Sequence, residues 1–201
     1  MSGFVGSPEF QLQKNSNERV VTVLYQAMLG REPDASGLAY WLSFLNSGCS
    51  NDYLVDGFSN SPEFKGICAS YGITAGRINL TQPRDQKPQV TAFVNRNYLY
   101  ALSRKGEAEG LNNWCDHLLQ GRMTPQQVAY GFVFSAECTG KNLDNQAFLT
   151  MLYHLYMDRE PDEIGLNNWM NELNRGMTRE QVVNGFAESP EFRMIVASYG
   201  L

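Results

Sequence analysis

Leu152-Tyr153-His154-Leu155-Tyr156-Met157-Asp158-Arg159-Glu160-Pro161-Asp162, followed by Gly165-Leu166 and Trp169, is the stretch on which the fold is read, because the chain writes it three times. The other copies run from Leu24 to Asp34, with Gly37-Leu38 and Trp41, and from Asn97 to Glu107, with Gly110-Leu111 and Trp114. Working outward, each Trp is followed at a fixed distance by Gly48, Gly121 or Gly176, and each copy closes on Gly-Phe-x-x-Ser-x-Glu at Gly57–Glu63, Gly131–Glu137 and Gly185–Glu191. Repetition at about 55 residues is the signature of stacked supersecondary units.

The repeat reads as helix throughout. Phe148, Met151, Leu152 and Leu155 make one apolar stripe at helical spacing, and so do Leu38, Trp41, Leu42 and Leu45, matched by Leu166, Trp169, Met170 and Leu173. Asp34 and Asp162 stand where an N-cap acceptor is needed for the second helix. Gly48, Gly121 and Gly176 suit a left-handed residue that ends it. Ser50, Thr124 and Thr178 cap a third helix, and Thr124 with Gln127 and Thr178 with Gln181 have capping-box spacing. Ser61-Pro62-Glu63 and Ser189-Pro190-Glu191 open a fourth, which ends at Tyr71-Gly72 and Tyr199-Gly200. The expected fold is all-α, a tandem array of four-helix units with negligible strand outside the 72–88 linker, where an extended segment has room.

This divides the chain into unit 1 at 17–73, a Gly/Pro-bearing linker at 74–88, unit 2 at 89–143 and unit 3 at 144–201. Gly3-Phe4-Val5-Gly6-Ser7-Pro8-Glu9-Phe10 matches the closing motif, so 1–16 reads as the tail of an earlier copy or a vector-derived remnant, and the chain as the end of a larger protein. The tight junction between units 2 and 3 suggests that they pack as a pair. Unit 2 departs from the pattern. It has Asn97 for Leu, Lys105-Gly106-Glu107 for Glu-Pro-Asp, Cys138 for the final Phe and one inserted residue before Gly131.

Net charge is −5 over 201 residues, which disfavours a phosphate-tracking surface and hence nucleic acid. No apolar run approaches a bilayer span, and no export signal follows Met1. Cys49, Cys68, Cys115 and Cys138 lack metal or redox spacing and read as free, mostly buried thiols, with one disulfide the minority reading. No nucleophile motif surrounds His117 or His154. The expectation is a non-enzymatic protein with no metal and no cofactor.

The repeated residues have structural readings. Arg31, Arg104 and Arg159 tie an inter-helix loop to a carboxylate or to helix-end carbonyls, a task suited to the planar guanidinium. Trp41, Trp114 and Trp169 sit on apolar stripes and read as core anchors whose indole N–H finds a partner. The acidic turns at Glu32-Pro33-Asp34 and Asp158–Asp162 lack the spaced ligands of a calcium loop and read as caps. Positions that differ at equal register are free to specify a ligand. Tyr40, Asn113 and Asn168 are the candidate ligand-binding residues on this ground.

The string Leu-Tyr-x-x-x-Leu-Gly-Arg-x-Pro-Asp-x-x-Gly-Leu-x-x-Trp, closed by Gly-Phe-x-x-Ser-x-Glu-Phe, resembles the bacterial repeat family called DUF4214. Its tyrosine-to-arginine part is similar to the phycobilisome linker domain, a helical assembly module. The resemblance covers nearly the whole chain outside the linker. It implies an all-helical module of large secreted or surface-attached proteins, with no activity and no ligand residues to transfer. The expected function is binding of a protein or a glycan; the alternatives are a structural spacer or C-terminal assembly domain and, last, an accessory domain of a hydrolase.

Overall fold

The computed structural model describes residues 16–201, so the motif read at Gly3–Phe10 lies outside the described residues. Among the described residues there are helices and no strands. The chain divides into two compact units, Met1–Thr91 and Ala92–Leu201.

In the first unit α1 (Asn17–Leu24) widens into a π turn at Tyr25–Leu29, followed by α2 (Ala35–Ser47), α3 (Asn51–Asn60), α4 (Pro62–Ser70) and the short α5 (Pro83–Gln86). The core gathers Val20, Val21, Leu24, Tyr25 and Met28 from α1 and its π turn against Leu45 of α2 and Leu54, Val55 and Phe58 of α3. Asp85 of α5 is buried, and it holds this unit's third-helix cap from outside. It accepts from the Ser50 amide at 2.8 Å and from the Ser50 hydroxyl at 2.6 Å, while Ser50 itself caps Tyr53.

α6 (Pro88–Leu102) leads into the second unit, which continues with α7 (Ala108–Leu119), α8 (Pro125–Val133), α9 (Ala136–Thr139), α10 (Asn145–Met157), α11 (Glu163–Asn174), α12 (Arg179–Ala187) and α13 (Pro190–Ser198). Repeats two and three share one core here. Phe93 of α6 lies 6.4 Å from Phe192 and 5.7 Å, edge on, from Tyr199. α10 is the central helix: it buries Leu149, Tyr153 and Tyr156 besides its single predicted stripe.

The caps follow the sequence closely. Asp34 and Asp162 accept from the amides of Gly37 and Gly165 at 2.9 and 2.8 Å, and Thr124–Gln127 and Thr178–Gln181 form complete capping boxes. Removing the box hydroxyl by Thr178→Ala should cost about 1 kcal/mol in a denaturant melt. A cost indistinguishable from zero would mean that packing alone starts α12.

Repeat two differs where its sequence does. Glu107 starts α7 without a side-chain cap, its carboxylate turned to Arg104 instead. The fourth helix shrinks to the single turn α9, because Thr139 bonds back to the Ser135 carbonyl, Gly140 weakens the helix, and Asp144 already caps α10. The residue before the repeated Arg is left-handed in every copy, at Gly30, Ser103 and Asp158. Where glycine is absent, side-chain bonds offset the strain: Ser103 accepts from Lys141 Nζ at 3.0 Å, and Asp158 from the Tyr100 hydroxyl at 3.1 Å.

Candidate binding site

The repeated residues close on one another in the same way three times. Arg31, Arg104 and Arg159 lie over the rings of Tyr25, Tyr98 and Tyr153, 4.9 to 5.0 Å from the centroids. Those tyrosines meet Phe58, Phe132 and Phe186 nearly edge on at 5.0, 4.7 and 5.1 Å. Trp41, Trp114 and Trp169 cover the same phenylalanines at 4.8, 5.0 and 5.2 Å. Burial pushes the hydroxyls of Tyr25, Tyr98 and Tyr153 above the ordinary tyrosine range, and Asp34, Glu107 and Asp162 respectively add to it.

Both repeated glycines follow from this lattice. A Cβ on Gly37, Gly110 or Gly165 would stand 2.0 to 2.2 Å from the tyrosine hydroxyl. On Gly57 it would stand 2.4 Å from the Trp41 ring.

The arginines tie loops as expected, with one variation. Arg31 donates to both oxygens of Glu63 at 2.6 and 2.8 Å, and Arg104 to both of Glu137 at 2.7 and 2.8 Å. These bonds hold both carboxyls below the usual carboxylate range. Each of the three arginines also donates to the carbonyl of the next residue at 3.2 Å; for Arg159 the carboxylate partner is Asp162, at 3.1 Å. The tryptophans are only half-buried, so they roof the core and are not fully enclosed by it.

Tyr40, Asn113 and Asn168 all stand exposed on the second helix of their repeats, one residue before the tryptophan. Tyr40, 57% exposed, lines a cavity of about 310 Å³ together with Trp41, Tyr53, Asp56 and Gly57. Its ring lies edge to face against both Trp41 and Phe44 at 5.0 Å, and Phe44 continues to Tyr53 at 5.1 Å. A second cavity, of about 410 Å³, opens beside Gly131, the matching glycine of repeat two, walled by Arg122, Met123, Gln127, Tyr130 and, from repeat three, Asn184. Gln127 and Tyr130 occupy the register of Tyr53 and Asp56. Arg122-Met123 is where repeat two carries its extra residue, so the insertion makes a wall of the larger cavity. Arg122 is held there by Asp116.

Sequence reasoning missed Tyr53, Asp56 and Tyr130. The signal was present: they too differ at equal register, as Tyr40 and Asn113 do.

All four cysteines are buried and free. His154 pairs with Glu160 at 2.9 Å, and His117 Nδ1 is buried without a partner. Among the described residues no group of three or more His, Cys, Asp or Glu is placed to hold a metal ion, and no helix is long and apolar enough to cross a membrane.

Three equivalent Arg-Tyr-Phe-Trp lattices in an all-helical chain define a tandem helical repeat protein. The chain belongs to the DUF4214 family, a domain of unknown function whose family model matches residues 1–68, 82–141 and 138–195. No curated protein and no solved structure matches it.

Proposed function

We propose that these repeats form a non-catalytic binding module for a protein or glycan, carried by a secreted or surface-attached bacterial protein. The observation that carries this reading is a division of labour. The signature residues spend most of their chemistry on one another, whereas the clefts beside Gly57 and Gly131 are lined, apart from Trp41 and the glycines themselves, mostly by residues that change between copies. A spacer needs the first set alone; two open clefts at equivalent register with different linings are what a recognition surface requires. Tyr40, Asn113 and Asn168 are the ligand contacts in this reading, joined by Tyr53, Asp56 and Tyr130.

The test is a glycan array and a panel of purified surface proteins, followed by variants with folding checked by circular dichroism. Tyr40→Ala, Asn113→Ala or Asn168→Ala should weaken binding at least about 10-fold with melting unchanged, the behaviour of an exposed contact. If folded Arg31, Arg104 and Arg159 variants lose binding while these bind normally, the signature itself is the site and the assignment is inverted.

A further inference from the structure

The repeat-one cavity has walls of a particular chemistry. Tyr40, Trp41 and Tyr53 supply three aromatic surfaces, Tyr40 and Trp41 inclined at 76° to each other, so they present a box and not a single flat plate. The remaining side chain in the lining is Asp56, and Gly57 leaves room where a Cβ would strike the indole. Among the described residues no lysine or arginine lines this cavity. Asp56 receives two neutral donors, Asn60 Nδ2 at 3.0 Å and the Ile78 amide at 3.3 Å, both on Oδ1, and it enters no ion pair among the described residues. The groups around Tyr53 act in the same sense: burial first, then Cys49, Tyr40, Asp85 and Asp56, push its hydroxyl up to about 12. An uncompensated carboxylate among π faces creates a negative potential in a partly dry recess.

From this geometry we infer that the cavity of Tyr40, Trp41, Tyr53 and Asp56 binds a quaternary ammonium group. Such a cation is large, weakly hydrated and without N–H donors, so aromatic faces recognise it where they discriminate poorly among hydrated ions. A sugar ring would use the same aromatic surfaces but would need several polar partners for its hydroxyls, and among the described residues Asp56 is the one acidic or amide side chain in the lining. The inference rests on the binding reading above and gives repeat one a ligand class. Repeats two and three carry Gln127, Tyr130 and Gln181, Asn184 at the registers of Tyr53 and Asp56, and have no such box.

The experiment follows the Trp41 indole N–H by NMR in the full chain, assigned by its loss in Trp41→Phe, during titration with choline. The comparison ligand is choline's neutral isostere, in which a tert-butyl group replaces the trimethylammonium. Choline should give a saturable shift at Trp41, and the isostere should bind about 10-fold more weakly or worse. Asp56→Asn, which preserves the Asn60 and Ile78 bonds, should weaken choline about 10-fold and leave the isostere unchanged. Tyr40→Ala, at an exposed position, should weaken choline by a similar factor with an unaltered melt. Phosphocholine and a trimethyl-lysine peptide then distinguish a headgroup from a modified protein as the source, by which one binds more tightly.

Equal binding of choline and isostere, or insensitivity to Asp56→Asn, overturns the inference. So does a saturable response to methyl glycosides with none to choline, which leaves the glycan reading in place. Silence at Trp41 alongside array binding through Asn113 or Asn168 overturns the inference alone; silence in both experiments overturns the wider reading as well.

Discussion

Phe186→Ala should destabilise the second unit by roughly 3–5 kcal/mol, the range for emptying a fully buried aromatic site. Phe186 has no exposed surface, and it receives Tyr153 at 5.1 Å, Trp169 at 5.2 Å and Tyr156 at 6.1 Å. Removing the ring takes away the surface on which two signature residues are oriented, so the loss includes their packing as well as the transfer of one side chain. Trp169→Ala has the same expected cost from periodicity alone, but the indole is half-buried and should lose less, about 2 kcal/mol. Denaturant melts of the two variants rank them. If Trp169→Ala proves the more damaging, the indole and not the phenylalanine organises the lattice.

The second large effect is expected at Arg96, a residue outside the repeated signature. Its side chain is nearly enclosed, with 8% of the residue exposed, and its guanidinium donates to the carbonyls of Leu155 and His154 and to Asp158 Oδ1, the last two at 2.7 and 3.3 Å. It also lies over the Tyr100 ring at 4.9 Å. A cation at the end of α10 serves last-turn carbonyls, of which that of His154 also accepts from the Asp158 amide at 3.3 Å, and complements the helix dipole. Arg96→Ala therefore strands the buried Leu155 carbonyl and should cost about 3 kcal/mol. Arg96→Lys should recover only part of this, since an ammonium cannot serve the carbonyls with a planar fork. A loss below about 1 kcal/mol for Arg96→Ala would show that water replaces the guanidinium without penalty.

Neither Arg96 nor Phe93 stood out in the sequence, because neither recurs in all three copies. Their work is specific to joining repeat two to repeat three, and a search for repetition is blind to it. The same holds for Asp85, which lies in the stretch read as a linker yet secures the Ser50 cap in the first unit. The tryptophans illustrate the opposite limit. Helical spacing places them on an apolar face, but how deep that face is set depends on which helix lies outermost. Among the second helices α11 has no buried residue, whereas α7 buries Leu111, Cys115 and Leu118 and α2 buries Leu45.

The sequence by itself determined the all-helical class, the repeat and nearly every helix start, because caps, left-handed glycines and apolar stripes act within a few residues of one another. It also separated signature positions from variable ones, which marks Tyr40, Asn113 and Asn168 as candidates. Only the tertiary structure decided what the signature is for: a stack of Arg on Tyr, Tyr and Trp on Phe, and two glycines that leave room for them. It also decided which variable positions share a cavity. Tyr40 and Tyr53 are on different helices, and their approach depends on the packing of α2 against α3, a long-range contact that no local rule encodes.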